Sequence, residues 1–157
     1  MVTRELQTLW WDWLSTSERL LRSLHEQTVA LTLRDVARVE RIQPELDQLT
    51  AKMKEIDGDA ATCARKLAEE LGTEAHLRSL VLVLEKAEAQ QLQSIANRVT
   101  VAARHVEAVF EKNRKLINHE MDYIHGTVAL IAKASQKPAS KYAAVPATTS
   151  ILLNQAA

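Results

Sequence analysis

An all-α fold, an elongated antiparallel helical hairpin or bundle with a coiled-coil-like seam, is what this sequence predicts, and three observations predict it. Only three glycines and three prolines interrupt 157 residues of which 46% are hydrophobic, so little in the chain stops a helix. Apolar side chains recur in steps of three and four over most of its length, the spacing of one helix face. Finally, the 61 residues from Glu74 to Ala134 contain no proline and a single glycine, Gly126. As one helix they would measure about 90 Å, against about 40 Å for a compact chain of this size, so a long rod must pack against other helices.

The first helix follows Leu6, Trp10, Trp13, Leu20, Leu24, Thr28 and Leu31, with Ser17 and Thr28 as polar members of the seam. The phase then changes. Val36, Val39, Ile42, Leu46, Leu49, Met53 and Ile56 form a second stripe out of register with the first, so a break is expected near Thr32. Thr32 and Asp35 have the N-cap and third-position spacing of a capping box. Pro44 removes a backbone donor and crowds residue 40, which predicts a bend or a restart. Gly58, between Asp57 and Asp59, reads as a helix end, followed by a short helix to about Leu71. Gly72 then supplies a stop and Thr73 an N-cap for the long segment.

That segment carries Leu77, Leu80, Leu84, Leu92, Ile95, Val99, Ala102, Val106 and Val109 near the three-four alternation of a coiled coil. Asn113, Ile117 and Met121 continue it in steps of four, which relaxes a supercoil locally, and Ile124, Val128 and Ile131 resume the alternation. The run Leu80, Val81, Leu82, Val83, Leu84 covers every side of a helix and is expected to be buried on several faces. Residues 1–135 thus read as one helical bundle domain. Residues 136–157, with Pro138, Pro146 and several Ser and Thr, read as a flexible tail closed by an apolar hook, Ile151, Leu152 and Leu153.

Twenty Lys and Arg balance twenty Asp and Glu, so no net field draws nucleic acid or anionic lipid. The densest basic stretch, Lys112, Arg114 and Lys115, is interleaved with Glu107, Glu111 and Glu120, as on a solvated helix face. One cysteine, Cys63, cannot form an internal disulfide and fits a reducing compartment as a small packed side chain. No basic-then-apolar signal opens the sequence and no apolar run approaches a membrane span, so a cytoplasmic protein without membrane insertion is expected.

Nothing in the sequence points to catalysis or a cofactor. His119 and Glu120 begin a zinc-protease pattern, but its second histidine would fall on Tyr123. Asp122 and His125 have the spacing used in di-iron bundles, which need two such pairs and further carboxylates, so no metal is expected. Two residues keep two readings each. Asn113, on the apolar seam, either fixes register inside the protein or marks a stretch that faces a partner helix. Trp10 and Trp13 read as anchors, whereas Trp11, rotated about 100° from its neighbours, is either a scattered exposed residue or part of a docking patch.

The segment Asn113, Arg114, Lys115, Leu116, Ile117, with Met121, Ile124 and Leu130, resembles the last helix of the flagellar export chaperone FlgN family. Glu26, Leu31, Asp35, Val36 and the run to Leu49 are similar to that family's first helix, break and acidic restart, and 142–156 resembles its tyrosine-containing end. Ala143, Ala144, Val145 and Pro146 depart from the glycines the family often has there, and Asn154 replaces a more usual acid. The resemblance implies a cytoplasmic chaperone that binds C-terminal helices of the hook-filament junction proteins FlgK and FlgL and delivers them to the export gate. A client segment would fold as an amphipathic helix on an apolar stripe, its ordering cost moderating affinity. The expected client surface is 113–131, with Asn113, Leu116, Ile117, Tyr123, Ile124 and Ile131, and the resemblance makes Tyr142 the gate contact. Deleting 136–157 is expected to impair delivery more than folding. The alternative is a structural or self-associating coiled-coil protein, a homodimer included, without a client.

Overall fold

The computed structural model describes residues 2–135, which form four α-helices and no strand: α1 (Arg4–Thr32), α2 (Val36–Leu71), α3 (Leu77–Val83) and α4 (Lys86–Ser135). Tyr142 and the closing apolar hook lie outside the described residues.

The break after Thr32 is where the change of phase placed it, but its chemistry differs. The Arg34 N–H donates to the Leu31 carbonyl at 3.2 Å and the Asp35 N–H to the Ala30 carbonyl at 2.9 Å. This pair of bonds closes a helix through one left-handed residue. Arg34 is that residue, at φ 54°, a position where glycine is usual because a Cβ is strained there. The capping box is corrected: Thr32 ends α1, its hydroxyl donating back to the Thr28 carbonyl at 2.7 Å. Asp35 is itself the cap of α2, accepting from the Arg38 N–H at 3.1 Å.

Neither the restart expected as one alternative at Pro44 nor the helix end expected at Gly58 occurs in α2. Pro44 lies inside the helix on its exposed side, where water can satisfy the carbonyl its missing N–H frees. Gly58 also sits within the helix. Met53, Ile56, Ala60, Leu67 and Ala68 keep one face of α2 buried on both sides of it, and that burial outweighs the roughly 1 kcal/mol that a mid-helix glycine costs. A Cβ added at Gly58 or at Gly126 would meet nothing within 4 Å. Gly58→Ala and Gly126→Ala should therefore each stabilise the protein by about 0.5–1 kcal/mol, measurable as a raised urea midpoint with an unchanged slope.

Gly72 is a true stop. It takes φ 66°, donating to the Glu69 carbonyl at 3.3 Å while the Thr73 N–H reaches the Ala68 carbonyl at 2.9 Å. Thr73 is not the next cap, since α3 begins after His76, whose side chain makes no cap bond. The expected continuous segment is divided as well. Leu84 turns extended at ψ 156° with its N–H on the Leu80 carbonyl, and α4 starts at Lys86. The run 80–84 is consequently not buried all round: Leu80 is in the core, whereas Leu82 is 80% exposed.

The chain divides into two compact units, Met1–Ser23 with Pro44–Glu107, and Leu24–Gln43 with Ala108–Ala157. In the first, Leu6 of α1, Ala60, Leu67 and Ala68 of α2, Leu80 of α3 and Leu92 of α4 form one apolar core, with Leu9, Trp10, Cys63, Leu71, Leu77 and Leu84 packed against it. Burial, then the charge of Glu5, push the Cys63 thiol up from its ordinary value despite Lys66 nearby, which suits a packed, unreactive side chain.

Within this unit α1 and α4 run parallel. Near one end the Glu88 carboxylate accepts from the Thr3 backbone N–H at 2.8 Å and from its hydroxyl at 2.7 Å. Further along, the Arg98 guanidinium stacks 5.4 Å from the centre of the Trp11 ring. Thr3 precedes α1, so Glu88 supplies an acceptor and a negative charge at a helix start. The Thr3 N–H, then the Thr3 hydroxyl, hold the Glu88 carboxyl below the usual carboxylate range against the opposing effect of burial. Glu88→Ala should cost about 1–3 kcal/mol at neutral pH. A carboxyl whose folded pKa is depressed stabilises above its unfolded pKa and loses that contribution as pH falls through the folded value. The gap between wild type and variant should thus close in acid, below the ordinary carboxylate range, in urea titrations run against pH.

In the second unit α1 and α4 are again parallel. Asn113 lies against Leu24, Gln27 and Thr28, and further along both helices Glu120 meets Arg34. Gln27 of α1 also approaches Gln43 of α2, the antiparallel partner formed by the turn at Arg34.

Candidate partner-binding site

Asn113 is 1% exposed, and its amide is fully used within the second unit. Nδ2 donates to the Leu24 carbonyl and to Gln27 Oε1, both at 2.9 Å, while the Thr28 hydroxyl donates to Oδ1 at 2.5 Å. Gln27 Nε2 in turn reaches Gln43 Oε1 at 3.5 Å. Of the two readings of Asn113, the structure supports the register-fixing one, because a buried amide with both donors and its acceptor matched holds α4 at one position along α1. Ile117, one turn on, is also buried. Neither presents a surface in this state.

The other residues singled out on α4 are more open. Leu116 and Ile124 are half-buried, whereas Tyr123 is 53% and Ile131 48% exposed. Leu130, at 69%, joins them. The reason is register: α1 ends at Thr32, and the turn that follows reaches α4 at Glu120. Beyond it α4 continues for roughly four turns with Met121, Ile124 and Val128 half-buried, and among the described residues no helix of this unit runs beside it. A stripe that would be core elsewhere is here left accessible.

Arg34 stands at the entrance to this stretch. Its Nε donates to Glu120 Oε1 at 3.1 Å, and its guanidinium covers one face of the Tyr123 ring at 4.4 Å from the centroid. Both interactions are at the surface, so each contributes little, but together they orient Tyr123. Leu33 and Val36, flanking the same turn, are exposed. Arg34, Glu120 and the two flanking residues were not found from the sequence, since nothing in the local pattern of an Arg in a polar turn reports what lies 86 residues away.

The tryptophans divide as their directions require. Trp13 is buried, its Nε1 without a hydrogen-bond partner, and Trp10 packs on the first unit's core. Trp11 is 47% exposed and lines a groove with Arg98. No helix among the described residues is long and apolar enough to cross a membrane, and among those residues no group of three or more His, Cys, Asp or Glu is placed to hold a metal.

No curated protein and no solved structure matches this chain. The model of the FlgN protein family does, over residues 1–144. A match across nearly the whole chain, on an all-helical fold, places this protein in the FlgN family of flagellar export chaperones.

Proposed function

We propose that the protein binds the C-terminal helical segments of the hook-filament junction proteins FlgK and FlgL on the part of α4 that outruns the α1–α2 turn, and delivers them to the export gate. The observation that carries this reading is the stripe of exposed Tyr123, Leu130 and Ile131 with half-buried Ile124, on the part of α4 that lies past its contact with the α1–α2 turn at Glu120. A client segment, disordered alone, would lay its apolar face on that stripe, and Leu116 would extend it toward the bundle. Asn113 and Ile117 would act from behind, by fixing where α4 sits. The ordering cost of the client keeps the complex releasable without nucleotide hydrolysis by the chaperone. Tyr142 is the proposed gate contact, in the cytoplasm where clients await export.

The test is co-expression with a junction protein, with and without its C-terminal helix, followed by size-exclusion chromatography. Complex formation should require that helix, and Ile131→Asp combined with Tyr123→Ala should weaken it by at least about tenfold without moving the thermal midpoint. Deleting 136–157 should spare the complex and the fold but impair delivery. A client that binds equally well without its last helix, or a variant that binds like wild type, would sink the proposal. A concentration-dependent dimer formed through the same stripe, in the absence of client binding, would favour self-association instead.

A further inference from the structure

A second surface, in the first unit, has the composition of a docking site for a different segment. Between α1 and α4 lies a groove of about 580 Å³ lined by Trp11, Arg98, Gln90, Gln91, Ser94 and the buried Ile95, among others, and by no carboxylate. Among the described residues no acid pairs with Arg98, whose guanidinium rests on the Trp11 ring instead. Stacking on Trp11 holds the charge in place but leaves the edge of the guanidinium, with its forked donors, open to an acceptor. Amide and hydroxyl groups beside it suit a peptide backbone, and Trp and Arg are both enriched among the residues that carry binding energy where protein partners dock.

We propose that this groove binds an acidic segment of a partner protein, a carboxylate engaging Arg98 while an adjoining apolar side chain packs on Trp11 and Ile95. Charge selects this occupant. A nucleic acid would present a row of phosphates to a groove with one cation, where several are needed. The chain's own residues 136–157 contain Lys137 and Lys141 and no Asp or Glu, so their side chains offer Arg98 no counter-charge. The proposal is independent of the client surface on α4, because every lining residue belongs to the first unit.

The test follows the indole N–H resonance of Trp11 in the full chain, assigned by Trp11→Phe. The probe is a short acetylated and amidated peptide of alternating leucine and glutamate, compared with the same peptide carrying glutamine for glutamate. The acidic peptide should shift the Trp11 resonance saturably, the glutamine peptide should not, and Arg98→Gln should weaken binding about tenfold. Equal response to both peptides, no response to the acidic one, or unchanged affinity in Arg98→Gln would overturn the proposal. So would a Trp11 resonance that moves when 136–157 are deleted, which would show the groove to be filled by the chain's own end.

Discussion

Asn113→Ala should destabilise the protein by about 2–4 kcal/mol, from the lost hydrogen bonds, the unmatched Gln27 oxygen left behind and the small cavity. The side chain is fully buried and joins α1 through Leu24, Gln27 and Thr28, so removing it disturbs a network rather than a single pair. Asn113→Asp should be worse at neutral pH, because a carboxylate in this place faces the Leu24 carbonyl and Gln27 Oε1, both acceptors. The sign of its pH dependence is opposite to that of Glu88. A buried Asp that faces two acceptors and keeps only the Thr28 hydroxyl as a donor has a raised folded pKa, so its penalty is full above that value and fades as pH falls toward the unfolded one. Urea unfolding at several pH values checks the size and the sign, and amide exchange should quicken first in 24–43 and 108–120. A loss below about 1 kcal/mol for the alanine variant would mean that the network does not hold the helices.

A comparable loss, about 3–5 kcal/mol, is expected for Leu92→Ala. Leu92 is fully buried at the point where α1, α2, α3 and α4 contribute Leu6, Leu67, Leu80 and Leu92 to one core. Leu82→Ala provides the contrast: on an exposed position of α3 it should stay within about 0.5 kcal/mol of wild type. Leu92 lies on the seam, whereas Leu82 belongs to an apolar run expected to be buried on several faces, of which α3 buries the Leu80 side and exposes Leu82. Chemical denaturation of both variants checks the pair, and a large loss for Leu82 would place the true core on the other face of that segment.

That contrast shows what could be read from the residues and what could not. The buried faces were legible, since Leu6, Trp13, Leu20, Leu24, Ile42, Leu46, Leu49, Leu92, Ile95, Val106 and Val109 are inside as their spacing requires. Turns were legible only where a residue declared them. Gly72 did, but Arg34 fills the same left-handed position without glycine, and Leu84 ends α3 with neither glycine nor proline nearby. Conversely, Gly58 announces an end that burial overrides, and α2 runs through Pro44 on its exposed side. The identity of Asn113's partners was out of reach because they lie on another helix, although Thr28, a second polar residue on an apolar seam, was the available sign. On the candidate surface, Tyr123 and Ile131 are exposed whereas Asn113 and Ile117 are covered. The seam tells which residues seek a neighbour, and only the lengths of the other helices tell which of them find one.

The parallel pairing of α1 with α4 has a consequence for the order of assembly on the ribosome. Helices α1 and α2 are joined by a tight turn and can begin to close on each other early, because their contacts beside that turn, such as Gln27 with Gln43, span little of the chain. Thr3, by contrast, waits for Glu88, and Thr28 for Asn113, each 85 residues downstream. A nascent hairpin would therefore leave its third side greasy until the final helix emerges, and truncated products ending before residue 113 should be the aggregation-prone ones.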